Sequence, residues 1–234
     1  MEFSEEQVKE FIEGIYSGEI TVNSLPENLY FAIADYLIKG LETGFDDVEA
    51  EWGTAAPELI QELKDNIYMF SGAKTYQQVR EITDLLYNDE GLRSFKEFFA
   101  DAKQVYDKYN KVWAQTEYDT AIGQAQCAVK WSRIEQDKEV LPYLKYSAVI
   151  DANTSDICRP LNGITLPVGD PAWSKIAPLN HFNCRCLLLQ VTEGPDKANA
   201  ETKAKINGVL GEMDDTFKMN PGKDGYVFGP KHPY

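Results

Sequence analysis

The stretch LPYLKYSAVIDANTSDICRPLNGITLPVGDPAWSKIAPLNHFNCRCLLLQV, residues 141–191, decides how this chain is read. Its first ten residues alternate in polarity and are rich in Tyr, Val and Ile, which predicts a strand over 141–150. Gly163-Ile164-Thr165-Leu166 predicts a second short strand ahead of the Pro/Gly-rich loop PVGDPAW, and RCLLLQV (185–191) a third. Between these strands fall Cys158, His181, Cys184 and Cys186. Short strands around a knot of thiols and one imidazole imply a small α+β module.

Outward from this stretch the chain is helical. Ser4 and Gln7 form a capping box ahead of Val8, Phe11, Ile12 and Ile15, and the helix breaks at 15–18. Pro26 suits a first helical turn, and Leu29, Ile33, Tyr36, Leu37 and Leu41 form a stripe ending near Gly44. Further helices are predicted over Glu58–Phe70 and about Tyr76–Tyr87. After Gly91 the apolar pattern runs on without a breaker, which predicts one helix of some 37 residues, about 55 Å long, with a kink near Gly123. Residues 196–213 read as a polar helix. The last 17 residues, KMNPGKDGYVFGPKHPY, hold three prolines and three glycines, and read as an extended arm. The fold class expected is α+β: a mostly helical N-terminal part with a long helix, then a small module of short antiparallel strands around a Cys/His cluster. The expected division is an acidic helical domain over 1–92, the long helix plus α+β module over 93–194, and a polar helix with a C-terminal arm over 195–234.

The chain carries 38 acidic and 23 basic side chains among its 234 residues, a formal net charge of −15. Residues 1–60 hold 14 acidic and 2 basic groups, so most of the excess lies in the first quarter. Two readings of that segment stand: a solvated acidic surface, or a docking face for a basic partner. The acidic balance argues against strong general binding of nucleic acid, which needs clustered Lys and Arg. No run of about 18 apolar residues predicts a membrane span. The start, MEFSEEQVKE, is acidic where a secretory leader is basic and then apolar, so export by that route is not expected.

The chemistry is concentrated in 29 residues. Thiolates and imidazole are the ligands a tetrahedral zinc prefers, and Cys158, His181, Cys184 and Cys186 make a complete Cys3His set. In H-x-x-C-x-C three donors can turn toward one point, while Cys158 arrives from a separate turn. Three other readings compete: reduced thiols packed beside a core histidine, a disulfide from Cys158 to Cys184 or Cys186, and a His181/Cys184 base and nucleophile. Asp151 and Asp156 flank the cysteine turn and read as turn-capping groups. Cys127, in the helical pattern, reads as packed. Phosphate-binding, dinucleotide-binding, zinc-protease and nucleophile-elbow motifs are absent from the sequence, which gives no catalytic set.

Thr116-Glu117 opening a helix, a strand, then D-x-x-T-S-x-x-C-x-x-L-x-G (Asp151, Thr154, Cys158, Leu161, Gly163) and P-x-x-H-x-x-C-R-C (Pro178, His181, Cys184, Arg185, Cys186) resemble the phage Mu F-like minor head protein family. The resemblance covers about residues 110–190. It implies a virion structural or assembly protein of a tailed phage or prophage, without established enzymatic activity. Such a protein acts near the portal in head morphogenesis or in DNA packaging and ejection. The implied partners are portal and capsid proteins, and the implied locations are the virion head and, during assembly, the host cytoplasm. The sequence departs at Ser155, where many members carry a cysteine in C-x-x-C. Alternative readings are a phage-borne effector enzyme of nuclease or ADP-ribosyltransferase type, or a zinc-stabilised protein-interaction module.

Overall fold

The computed structural model describes Met1 and residues 3–234. In chain order the elements are α1 (Glu5–Ser17), α2 (Glu27–Trp52), α3 (Pro57–Thr83), β1 (Tyr87–Asn88), β2 (Gly91–Leu92), α4 (Phe95–Asp107), a π-helical segment (Lys108–Trp113), α5 (Ala114–Asp137), β3 (Tyr143–Ser147), β4 (Thr165–Pro167), α6 (Trp173–Ile176), β5 (Leu187–Val191), α7 (Ala200–Glu212) and α8 (Pro221–Asp224). The chain is thus mostly helical with a few short antiparallel strands, and the Cys/His cluster stands near them. No helix among the described residues is long and apolar enough to cross a membrane.

Two compact units divide the chain. The first comprises Met1–Lys39, Ile67–Tyr118 and Tyr234; the second comprises Gly40–Asn66 and Asp119–Pro233. In the first unit, α1 is capped as its sequence directs: Ser4 accepts from the Gln7 amide, and the Gln7 side chain returns the bond. Gly18 ends it at φ +82, a left-handed position that favours glycine. The apolar stripe of α1 packs on α4 through Phe11 against Tyr106 and Tyr16 against Phe95 and Phe98. Lys74, fully buried on α3, pairs with buried Glu117, whose other carboxylate oxygen accepts from the Tyr234 hydroxyl at 2.6 Å.

In the second unit β3 is the central strand of a sheet ordered β4-β3-β5, antiparallel throughout, with Leu144 opposite Leu166 on one side and Gln190 on the other. Its buried face, Leu144 and Tyr146, packs with Trp131 and Ile134 of α5, Trp173 of α6, and Ile206 and Val209 of α7. Polar Lys145 lies on the opposite, exposed face, as the alternation of the sequence requires.

Several expectations need correction. Helix α2 continues to Trp52 because Gly44 is a site of close approach, not a stop: a Cβ there would lie 2.3 Å from the Ile122 carbonyl oxygen. The two helices predicted over 58–87 are one, α3. The long helical run extends from Phe95 to Asp137, and its irregularity is the π segment at Lys108–Trp113, not Gly123. The C-terminal stretch is not wholly extended, since it holds a 3-10 turn (Asp215–Phe217) and α8, and it buries Phe217, Val227 and Phe228.

Candidate metal centre

The turn that follows β3 is fastened before it delivers any sulfur. The Asp151 amide donates to Thr154 Oγ1 at 2.7 Å, and the Asn153 amide to Asp151 Oδ1 at 2.8 Å. Thr154 Oγ1 in turn donates to the Val149 carbonyl at 2.6 Å. Arg185 closes the turn from the far side with a two-pronged bond, each terminal nitrogen 2.8 Å from an Asp151 carboxylate oxygen. That guanidinium holds the Asp151 carboxyl down to about 2. Ser155 Oγ then accepts from the Cys158 amide at 3.1 Å, which caps the turn leading into the short 3-10 helix Arg159–Leu161.

The second half of the motif arrives from the loop before β5. The His181 carbonyl accepts from the Cys184 amide at 3.2 Å, in a turn that holds Asn183 at φ +58. His181 Nδ1 lies 2.7 Å from the Phe182 carbonyl, which can only accept, so Nδ1 carries a proton. His181 Nε2 therefore faces the cluster, 2.8 Å from Ser155 Oγ and 3.2 Å from Cys158 Sγ. The Cys158 and Cys184 sulfurs are 3.7 Å apart. Ligand atoms of Cys158, His181 and Cys184 all lie within 4.8 Å of one another, and these three residues could hold a metal ion. Cys186 is not one of these three; it is partly buried and packs against the Cys158–Leu179–Cys184 cluster.

The sulfurs and the imidazole shift one another's titration. The neighbouring Cys184 sulfur holds the Cys158 thiol below its usual range, against the opposing effect of burial. Its bond to Cys158 raises His181 above the ordinary imidazole value, while the same sulfur pushes the Cys184 thiol up to about 11. Cys186 is raised for the same reason. Two thiolates bound to a tetrahedral zinc at about 2.3 Å stand about 3.8 Å apart, close to the sulfur spacing found. A histidine whose Nδ1 is tied to a carbonyl presents Nε2 in the manner of metal-binding imidazoles.

Two supporting residues escaped sequence reasoning. The buried Tyr146 hydroxyl donates to Cys158 Sγ at 3.4 Å and accepts from Asn180 Nδ2 at 2.8 Å. Asn180, the residue just before His181, is itself anchored to the Ile176 carbonyl. Their only signal was position, one inside the first strand and one adjoining the histidine. Ser155, noted only as a departure from C-x-x-C, is a direct partner of His181. Cys127 packs against the Cys158–Leu179–Cys184 cluster, and burial pushes its thiol up to about 11. All four cysteines are free. The cavity between Ser155, Cys158, His181 and Arg185 holds about 20 Å³, room for one water or one ion, and a second cavity of about 220 Å³ is lined by Cys127, Cys184 and Cys186. Asp156 is not among the groups gathered at the centre.

The sequence matches the family model described as Phage Mu protein F like protein over residues 51–189. No curated protein and no solved structure matches.

Proposed function

Because the chain belongs to the Phage Mu protein F like family, we propose that it is a minor head protein of a tailed phage or prophage, acting beside the portal in head morphogenesis or in DNA packaging and ejection. Portal and capsid proteins are its partners in this reading, and the virion head is its destination. One observation carries the proposal: the match spans both halves of the motif, and the fold brings those halves to one point although 26 residues separate Cys158 from Cys184. We assign the centre a structural role, with Cys158, His181, Cys184 and Cys186 holding zinc. Burial of Cys158 among Tyr146, His181 and Cys184 supports a bound ion over turnover.

The tests follow the two halves of the proposal. Co-expression with the portal and major capsid proteins should give procapsids that contain this chain; its absence from both procapsids and mature heads would sink the assembly role. Elemental analysis of the purified protein should find about one zinc per chain. His181→Ala and Cys184→Ser should each lose most of it, melt several degrees lower and enter fewer particles. Unchanged zinc content, melting and incorporation in both variants would remove the structural role from the centre.

A further inference from the structure

We propose that the first unit carries a binding site for a phenol ring, the side chain of a tyrosine, and that Tyr234 of the same chain plugs it. Every residue that builds the site, Tyr234 included, belongs to that unit. Three rings from two elements surround the phenol. Phe70 of α3 is buried, with its ring centroid 5.2 Å from that of Tyr234. Tyr109, also buried, stands at 5.8 Å, and Trp113, 37% exposed, forms the rim at 6.2 Å. All three contacts are tilted and lie within the range of favourable aromatic pairs. Tyr109 and Trp113 both come from the π-helical segment Lys108–Trp113 and touch each other at 4.9 Å. Such π turns are rare and often mark functional sites. The Tyr109 hydroxyl is tied to Glu81 Oε2 at 2.8 Å, and Lys108 Nζ lies 5.0 Å from the centroids of both rings. These two walls thus have partners of their own besides Tyr234.

The hydroxyl is recognised separately from the ring. It donates to Glu117 Oε1 at 2.6 Å, and Glu117 is only 3% exposed. The other carboxylate oxygen is taken by fully buried Lys74, whose Nζ also lies 5.9 Å from the Tyr234 centroid. A buried carboxylate with one oxygen on a lysine and the other facing the ring calls for a neutral donor. A phenol supplies one, since burial and the charge of Glu117 push the Tyr234 hydroxyl well above its ordinary value and it keeps its proton. A ring without the hydroxyl leaves that oxygen unsatisfied, and an ionised or phosphorylated ring meets like charge. The residues just ahead of the ring contrast with it: Lys231 and Pro233 are exposed and lie in no helix or strand. The ring and its hydroxyl, more than the segment that carries them, are what the unit recognises.

p-Cresol is the tyrosine side chain freed of its backbone, and toluene is the same ring without the hydroxyl. Titrated into the full chain carrying Tyr234→Ala, p-cresol should bind saturably and raise the melting temperature. It should bind about tenfold or more tighter than toluene, as one hydrogen bond to a charged group implies. The unsubstituted chain should bind p-cresol about tenfold or more weakly than Tyr234→Ala does, because its own tethered ring holds the site. Tyr234→Phe keeps the ring and should melt about 3 °C lower than the unsubstituted chain. Where Tyr234→Ala does not fold alone, p-cresol should restore its circular dichroism and toluene should not. The proposal is overturned by any one of four results: neither binding nor rescue of Tyr234→Ala by p-cresol, equal affinity for p-cresol and toluene, equal binding by the unsubstituted chain, or a Tyr234→Phe chain as stable as the unsubstituted one.

Discussion

Asp151 and Arg185 are 34 positions apart in sequence, yet their two-pronged bond joins the turn that carries Cys158 to the loop that carries Cys184 and Cys186. The pair is exposed, so its worth lies in registering two backbone segments more than in bulk stability. The folded value of the Asp151 carboxyl, about 2, is below its ordinary 3.8. Its stabilisation is therefore complete above the ordinary value and is lost as pH falls through about 2. Asp151→Asn should lower stability at neutral pH and leave it unchanged at the acid end, which denaturation of both proteins across that range will show. A buried pair behaves differently. Lys74 and Glu117 are both enclosed, and burial drives the lysine down against the opposing pull of Glu117. Lys74→Met strands a buried carboxylate and should cost about 3–5 kcal/mol in urea denaturation, whereas Lys74→Met with Glu117→Leu should recover most of that loss. Glu117 was singled out in the sequence as part of a helix opening. That it faces a buried lysine on α3 could not be read there, because the partner lies 43 positions away.

At the scale of elements, local signals worked where local physics decides. The Ser4–Gln7 capping box, the Gly18 stop, the three strands and the polar helix α7 all stand within a few residues of their predicted places, because caps, turn residues and alternation act between near neighbours. Glycine was the misleading signal. Gly44 read as a terminator and is instead the point where α2 meets the backbone of α5; Gly123 read as a kink and instead lies against Leu179. A missing side chain means conformational freedom or close approach, and only packing distinguishes them. Gly44→Ala would force its Cβ onto the Ile122 carbonyl oxygen and Ala125, where a rigid helix backbone cannot give way. It should cost about 2 kcal/mol or more by thermal unfolding despite alanine's better helix propensity. A loss smaller than half a kcal/mol would mean that the helices slide apart at little expense.

Across the whole molecule the acidity is distributed otherwise than along the chain. The acidic leading segment is cut at Gly40 by the fold, so the first unit holds 16 acidic and 9 basic residues and the second 22 and 14. Each unit therefore carries a similar negative excess, and neither is neutral. Self-repulsion of this kind is screened by salt, so raising ionic strength from low to physiological should lift the melting temperature by about 2–4 °C, equivalent to about 1 kcal/mol for a chain of this size. A flat response would show that local ion pairs such as Lys9–Glu13 and Lys103–Asp107 already balance the charge where it matters. Hydrophobic period, turn chemistry and residue type are local properties, and they were enough for the fold class, the strands and the candidacy of Cys158, His181, Cys184 and Cys186, of which the fold gathers Cys158, His181 and Cys184 as a set that could hold a metal. Folding brought Ser155, Tyr146 and Asn180 to that set, placed Lys74 against Glu117 and left β5 at the edge of the sheet. Those facts depend on which distant segments meet, and chain order does not encode that distance.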